Sequence, residues 1–470
     1  MKYNISVKEF MDESKNGSIN YADFCSAVTE KTSALNETYN FFQFVANFRQ
    51  RAAAEVPLYG LPVSVKDCIC VKGMQSSAGS KILQGYMPPF DATAVARIKE
   101  SGARVLGKTN QDEFGFGTFS TNSAYGVPKN PYDPQRSCGG SSGGAAGITA
   151  ALKMPHIALA ESTGGSISCP AAFCGVVGLT PTYGLVSRYG LIDYANSLDK
   201  IGVMARCVHD AALLLSHIGG HDSMDSTSLN TKKQDYTKSA AKKDLKGLRI
   251  GVPKEYFDGV DPKIIRQVES AIEKLESLGA KSVKISLPMT RYALAAYYII
   301  ATAEASTNLS KYCGMRYGLH LDIEGNFSDY FSKVRSAGFG LEAKRRIILG
   351  TFARMSGYRD AYYLKAMKVR TMIIDDFKKA FKKCDVLAAP TMPILPPKFS
   401  DIAKLTPLEN YRMDVLTVPS NVAGIPQLSI NCGFISSLPV GLHLMADHLQ
   451  ESKLIETAAA FEAAARDGKK

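Results

Sequence analysis

The sequence has no apolar run of transmembrane length, which excludes a membrane-spanning helix. Its first residues, Met1-Lys2-Tyr3-Asn4-Ile5, lack the apolar stretch of a signal peptide, and Glu9, Asp12 and Glu13 argue against a transit peptide. A cytoplasmic protein with no membrane partner is expected. Ten cysteines among 470 residues is an ordinary number, and the closest pairs, Cys68/Cys70 and Cys169/Cys174, fit neither a zinc knuckle nor a redox CxxC motif. Histidine and cysteine nowhere cluster at ligand spacing, so no metal is expected and reduced thiols are the simplest reading. No Gly-Lys-Ser/Thr follows the glycine–serine run Gly139–Gly144, which argues against a nucleotide-binding P-loop there.

What is present is a chain 45% hydrophobic, long enough to bury a large core. The formal charge of +12 suits an anionic partner, nucleic acid among them, but it is dispersed. The lysine run from Lys232 to Lys246 sits in a polar stretch that reads as a solvated connector.

Residues 5–50 read as helical and amphipathic, with Val7, Phe10 and Met11 on one face. From Leu61 short apolar runs predict buried strands at 63–65, 104–106, 157–159 and 176–179, with helices between them such as Ala92–Ser101, ended by Gly102. Beyond the polar stretch a second series starts with a strand at 248–253, a helix at 262–278 and a strand at 284–287. Residues 290–383 read as mostly helical, strands return at 386–389 and 428–430, and an alanine-rich helix covers 451–465. Strands alternating with helices predict an α/β sheet. The expected organisation is N-terminal helices in 1–60, a core in 61–221, a polar connector in 222–246, a second half in 247–450 and a terminal helix in 451–470.

Two glycine–serine clusters carry the chemistry. Gly139-Gly140-Ser141-Ser142-Gly143-Gly144 and Ser162-Thr163-Gly164-Gly165-Ser166-Ile167-Ser168 place hydroxyls beside bare backbone N–H groups, the pairing that a nucleophilic hydrolase needs for attack and for its oxyanion. All seven histidines, His156, His209, His217, His221, His320, His443 and His448, lie outside both clusters, and a distant Ser-His-Asp arrangement stays open. Lys66, at the end of the apolar run Pro62-Val63-Ser64-Val65, is a second candidate base, because a lysine buried there is pressed towards its neutral form.

Lys66-Asp67, the first cluster and the Thr-Gly-Gly-Ser-Ile of the second together resemble the amidase signature family. The run Pro170–Leu179, Pro181-Thr182-Tyr183-Gly184, Val186–Leu191, Ser197-Leu198-Asp199, Glu304–Ser310, Arg316-Tyr317-Gly318 and Lys344–Thr351 extend the similarity over nearly the whole chain, and they resemble the glutamine-hydrolysing subunits of tRNA-dependent amidotransferases. The resemblance implies one large α/β domain with a mixed sheet sandwiched between helices. It implies Ser166 as acyl-ester nucleophile, Ser141 as a bridging serine in a cis peptide and Lys66 as base. The oxyanion would be held by the backbone of Thr163, Gly164, Gly165 and Ser166. A glutamine substrate would be gripped by Arg346 at its carboxylate and Asp414 at its ammonium, with Tyr297 lining the pocket. Ammonia would pass to a B subunit that uses ATP and magnesium to amidate Glu-tRNA(Gln), with a small C subunit bracing the contact, and no cofactor would sit on this chain. A free-standing amidase acting on a small amide, and a non-catalytic or RNA-binding scaffold, are the competing readings.

The chain departs from the family pattern beside the nucleophile. Ser162 stands where an aspartate is usual and Ser168 where an arginine is usual, which suggests an ion pair replaced by two hydroxyls. Glu161 and Thr180 also differ from the residues expected there.

Overall fold

A computed structural model describes residues 3–46 and 56–467. Among these residues eleven strands form one mixed sheet. In chain order the strands are β1 (Phe42–Val45), β2 (Pro62–Lys66), β3 (Arg104–Thr109), a separate two-stranded ribbon of β4 (Lys129–Asn130) and β5 (Asp133–Ser137), β6 (Ile157–Ser162), β7 (Val177–Thr180) and β8 (Lys200–Ala205), then β9 (Arg249–Pro253), β10 (Lys281–Ile285), β11 (Val386–Pro390), β12 (Gln427–Ile435) and β13 (Leu438–Ala446). The sheet order is β1-β3-β2-β6-β8-β7-β12-β13-β11-β9-β10.

Every residue of β2, β6, β7, β8, β11 and β13 is buried. Such strands have no solvent face, so helices must flank the sheet on both sides. This is the α/β architecture expected from the alternating pattern. Strands from before and after the polar stretch 222–246 share the one sheet, joined where Thr180 of β7 pairs with Gln427 of β12. The connector is not wholly solvated: its lysines are exposed, but Tyr236 and Leu245 are buried and tack it down.

Several expected boundaries shift. The helical reading of residues 5–50 resolves into Val7–Lys15, opened by a Ser6/Glu9 capping box, and Tyr21–Tyr39, ended by Asn40 in the left-handed conformation. Phe42–Val45 is then a strand, because it pairs with β3 at the sheet edge; residues 47–50 lie outside the described residues, as do 468–470 of the terminal segment. The strand expected at 284–287 is Lys281–Ile285, held in parallel register on β9. Strands β8 and β13 escaped the sequence reading altogether.

The sheet brings the chemistry together at one place. Strand β2 runs parallel to β6, with Val65 opposite Leu159, so Lys66 and Glu161 emerge at neighbouring carboxyl ends. The helix Gly143–Ala151 starts directly after Ser141-Ser142, and the helix Ser168–Cys174 directly after Ser166-Ile167.

Candidate active site

Lys66 is fully buried, and its Nζ donates to Ser141 Oγ at 2.7 Å, to Glu161 Oε2 at 2.8 Å and to the Glu161 carbonyl at 3.0 Å. The sequence led to a desolvated lysine without a counter-charge; the fold instead builds a buried ion pair. His156, nearest in sequence to the serines, packs its Nε2 2.9 Å from Ser64 Oγ, and burial pushes it down to about 3, so it is a neutral core residue. Among the described residues no group of three or more His, Cys, Asp or Glu is arranged to hold a metal ion.

The Gly140–Ser141 peptide is cis. Gly140 N donates to Thr118 O at 2.7 Å, and Asp112 N donates to Ser141 O at 3.2 Å. Glycine is required at 140 because a Cβ there would lie 2.3 Å from Asp112 Oδ2 and 2.7 Å from Ser120 N. Asp112 accepts the backbone N–H groups of Ser120 and Asn122, both at 2.9 Å, while burial pushes its carboxyl up to about 6.

Ser142 N donates to the Ser166 carbonyl at 3.3 Å, which ties the two serine clusters through the backbone. Asn421 Nδ2 donates to the carbonyls of Thr163 and Leu198, and Ser162 Oγ donates to the Gly164 carbonyl at 3.0 Å. The loop's carbonyls are thus occupied. Among the described residues its N–H groups at Thr163, Gly164, Gly165 and Ser166 have no protein acceptor, which leaves them for an anion. Ser162 and Ser168 do not bond to each other, and Ser168 Oγ and Thr180 Oγ1 are buried without a partner among the described residues.

Arg346 and Asp414 are not surface ions. Arg346 is 3% exposed; its Nε donates to Glu342 Oε1 at 2.8 Å and its Nη1 to Tyr194 OH at 2.6 Å. Its guanidinium lies 5.1 Å from the Phe116 ring, 5.2 Å from Tyr298, 5.3 Å from Tyr411 and 5.6 Å from Tyr194. Asp414 Oδ2 accepts from Thr118 Oγ1 at 3.0 Å and Tyr298 OH at 3.1 Å, and burial pushes its carboxyl up to about 6. Tyr297 is buried, packs edge-on against Tyr298 at 5.0 Å, and its ring is 3.0 Å from where a Cβ on Gly164 would sit. A Cβ on Gly165 would lie 3.4 Å from Asp414 Oδ1. Asp414 therefore sits against the glycine loop, with Arg346 on the far side of Tyr298. A cavity of about 300 Å³, lined by Thr118, Glu342, Arg345, Arg346, Asn410 and Tyr411, opens beside them.

Tyr194, Tyr298, Tyr411, Glu342 and Thr118 were missed from the sequence. Glu342 had a signal, since it stands four residues before Arg346 on one helix. Tyr298 neighbours Tyr297, and a helix turns adjacent residues to different faces, so sequence alone does not say which one meets the carboxylate.

A buried lysine in contact with one serine, and a second serine beside unoccupied N–H groups, are the kinds of group an amide hydrolase needs. Residues 23–455 match the family described as Amidase, and the chain belongs to that family. The chain is 52% identical over 407 residues to the A subunit of glutamyl-tRNA(Gln) amidotransferase from Methanococcoides burtonii, covering 86% of this chain and 85% of that protein. To the protein of the same name from Halothermothrix orenii it is 51% identical over 409 residues, covering 87% and 85%. The crystal structure of the A subunit of glutamyl-tRNA(Gln) amidotransferase from Thermotoga maritima matches with a TM-score of 0.82 at 35% identity, covering 97% of this chain and 94% of that one.

Proposed function

We propose that this chain is the glutamine-hydrolysing subunit of a glutamyl-tRNA(Gln) amidotransferase. The observation that carries the reading is the pair of opposite buried charges, Arg346 and Asp414, around Tyr298, with Asp414 against Gly165 of the glycine loop. An amino-acid amide presents a carboxylate, an ammonium and a reactive carbonyl, and this arrangement meets all three. A guanidinium suits the carboxylate because its planar fork grips two oxygens. Tyr297 closes the pocket against Gly164.

In this reading Ser166 Oγ attacks the side-chain amide carbon, with its proton taken up through Ser141 and Lys66. The N–H groups of residues 163–166 hold the developing oxyanion, each such donor contributing about 3 kcal/mol to the transition state. Ammonia leaves, and water cleaves the glutamyl ester to regenerate Ser166. Support comes from the 2.7 Å Lys66–Ser141 contact and the occupied loop carbonyls. A partner B subunit would use ATP with magnesium on the tRNA-borne glutamate, a C subunit would brace the assembly, and this chain would need no cofactor. The complex would work in the cytoplasm; among the described residues no helix is long and apolar enough to cross a membrane.

The test is ammonia release from glutamine by the chain assembled with its B and C partners, with and without ATP and glutamyl-tRNA. Release stimulated by both, and abolished by Ser166→Ala in a protein that still folds, is the expected result. Release that ignores ATP and tRNA, or is seen only with other amides, would move the assignment to a free-standing amidase. Glutaminase activity retained in Ser166→Ala would remove Ser166 from the chemistry.

A further inference from the structure

Glu113 is a buried acid that no step of the hydrolysis uses. It is 3% exposed and follows Asp112, whose carboxylate holds the N–H groups of Ser120 and Asn122. Its own N–H donates to the Asn122 carbonyl at 3.3 Å, and its carbonyl accepts from Phe116 N at 2.9 Å. The Glu113 backbone is thus built into the segment 113–122, which supplies Phe116 to Arg346 and Thr118 to Asp414.

Its side chain reaches the other side of the pocket. Both carboxyl oxygens lie 3.0 Å from Gly340 N, and Oε1 also accepts from Ser80 Oγ at 2.5 Å. Gly340 is the N-cap of the helix Leu341–Arg354 and has no side chain with which to cap it. The first N–H groups of a helix lack partners within it, and its dipole favours negative charge there, so a carboxyl from elsewhere completes the cap. That helix carries Glu342 and Arg346, and with segment 117–122 it walls the cavity beside them. A second cavity, of about 320 Å³, adjoins the first: Thr121, Asn122, Leu341 and Glu342 line both, and Glu113 lines the second.

The contact also explains the glycine at 340. Its φ of −71° is open to any residue, but a Cβ there would lie 2.5 Å from Glu113 Oε2, and the three nearest atoms all belong to Glu113. Burial pushes the Glu113 carboxyl up to about 7. Neutral or charged, it keeps an oxygen that accepts the Gly340 N–H, and a glutamine would keep one too.

We propose that Glu113 is a positioning residue for the substrate clamp: its carboxyl ties the start of the Arg346 helix to segment 113–122, and so sets where the guanidinium meets the substrate carboxylate. This rests on the binding role proposed above for Arg346. Arg346 lies within two turns of Gly340 on one helix, so a shift of the first turn is carried to the guanidinium. Among the described residues Glu113 makes no hydrogen bond to Lys66, Ser141 or Ser166, so the tie acts on binding and not on the attack.

The experiment measures kcat and KM for glutamine by ammonia release from the assembled complex, alongside the rate at which a fluorophosphonate labels Ser166. It compares the wild type with Glu113→Ala, Glu113→Gln, Gly340→Ala and the Glu113→Ala/Gly340→Ala double variant. The probe carries no carboxylate, so labelling reads the nucleophile apart from the clamp. Glu113→Ala is expected to raise KM about tenfold, with kcat and labelling within about threefold of the wild type. Glu113→Gln is expected to keep KM within about twofold. Gly340→Ala should raise KM on the same scale as Glu113→Ala, because its methyl displaces the carboxyl, and should cost little more when Glu113 is already gone. An unchanged KM in Glu113→Ala overturns the proposal, as does labelling that falls as far as KM rises. A KM as high in Glu113→Gln as in Glu113→Ala overturns it too, and so do single-variant effects that multiply in the double variant. If Glu113→Ala does not fold, Gly340→Ala decides by the same two readouts. If the wild type binds glutamine without hydrolysing it, the glutaminase reading fails alone, and the glutamine concentration that halves labelling stands in for KM. Glutamine hydrolysis whose KM ignores both variants sinks the Glu113 proposal alone, and a wild type that neither binds nor hydrolyses glutamine overturns both.

Discussion

Asp414 and Arg346 are joined through a single side chain, Tyr298, whose hydroxyl donates to Asp414 Oδ2 at 3.1 Å while its ring lies 5.2 Å from the guanidinium. Tyr411 stacks on the same ring at 4.2 Å. A rigid aromatic between opposite charges sets their spacing, and Arg346 lines the adjoining cavity. Tyr298→Phe keeps the ring and removes one hydrogen bond to the carboxylate. Its expected effect is a rise of about 3- to 10-fold in KM for glutamine with kcat nearly unchanged, measured by steady-state ammonia release.

Asp414 should show a trade between stability and binding. Burial raises its carboxyl from the ordinary 3.8 to about 6. Because the folded value lies above the unfolded one, this group's contribution to stability is fully present below about pH 3.8 and is lost as pH rises through about 6. At pH 8 Asp414→Asn removes a buried charge and is expected to raise stability by up to about 3 kcal/mol, read as a higher Tm. The same variant loses the partner of the substrate ammonium, so KM rises by about 10- to 100-fold. Wild-type affinity for glutamine should fall as pH drops below about 6, and that fall should be absent in Asp414→Asn.

Gly165 is held by contact rather than by backbone conformation. A Cβ there would lie 2.2 Å from Thr417 Oγ1 and 2.9 Å from Thr417 Cβ. Gly165→Ala is expected to displace the oxyanion loop and cut kcat by about 100-fold, on the scale of losing one oxyanion donor. Adding Thr417→Gly should recover much of that loss. A double variant whose defects simply add would show that the contact does not set the loop.

Ser168 Oγ is a buried hydroxyl without a partner among the described residues, and Thr180 Oγ1 is another. A buried polar group left unbonded costs about 1–3 kcal/mol, so Ser168→Ala should leave the protein as stable as the wild type or more so, checked by chemical denaturation. Ser162 does not bond to Ser168, yet restoring aspartate at 162 and arginine at 168 together should be tolerated better than either change alone, because either alone buries an unpaired charge. Additive costs in the double variant would contradict that coupling.

Much of this molecule was legible along the chain. Continuous apolar runs marked β2, β3, β6 and β7, because strands buried on both faces need no polar alternation. Strand β8 was missed: Lys200 opens it buried, its Nζ donating to the Ile425 carbonyl at 3.0 Å, and a lysine at a strand's start reads as surface. Strand β13 was missed for a similar reason, since Pro439 and His443 interrupt an apolar run whose place is fixed by pairing on both sides with β11 and β12. The glycine–serine clusters and Lys66 stood out because glycine beside serine is a local requirement of the chemistry, visible without any partner.

The sequence by itself determined the hydroxyls, the glycines that bare their backbone, and the lysine at the end of an apolar strand. It also showed that Glu161 and Ser162 break the family pattern. Only the tertiary structure decided what that break means. Parallel pairing of β2 with β6 puts residue 161 against Lys66, and packing around Tyr298 brings Arg346 and Asp414 into one pocket. Contacts of this kind join residues far apart in the chain, so no local pattern announces them. Their energies depend on burial, because a carboxylate in water is only weakly tied to a lysine 2.8 Å away, and the same pair closed off from solvent is held to it.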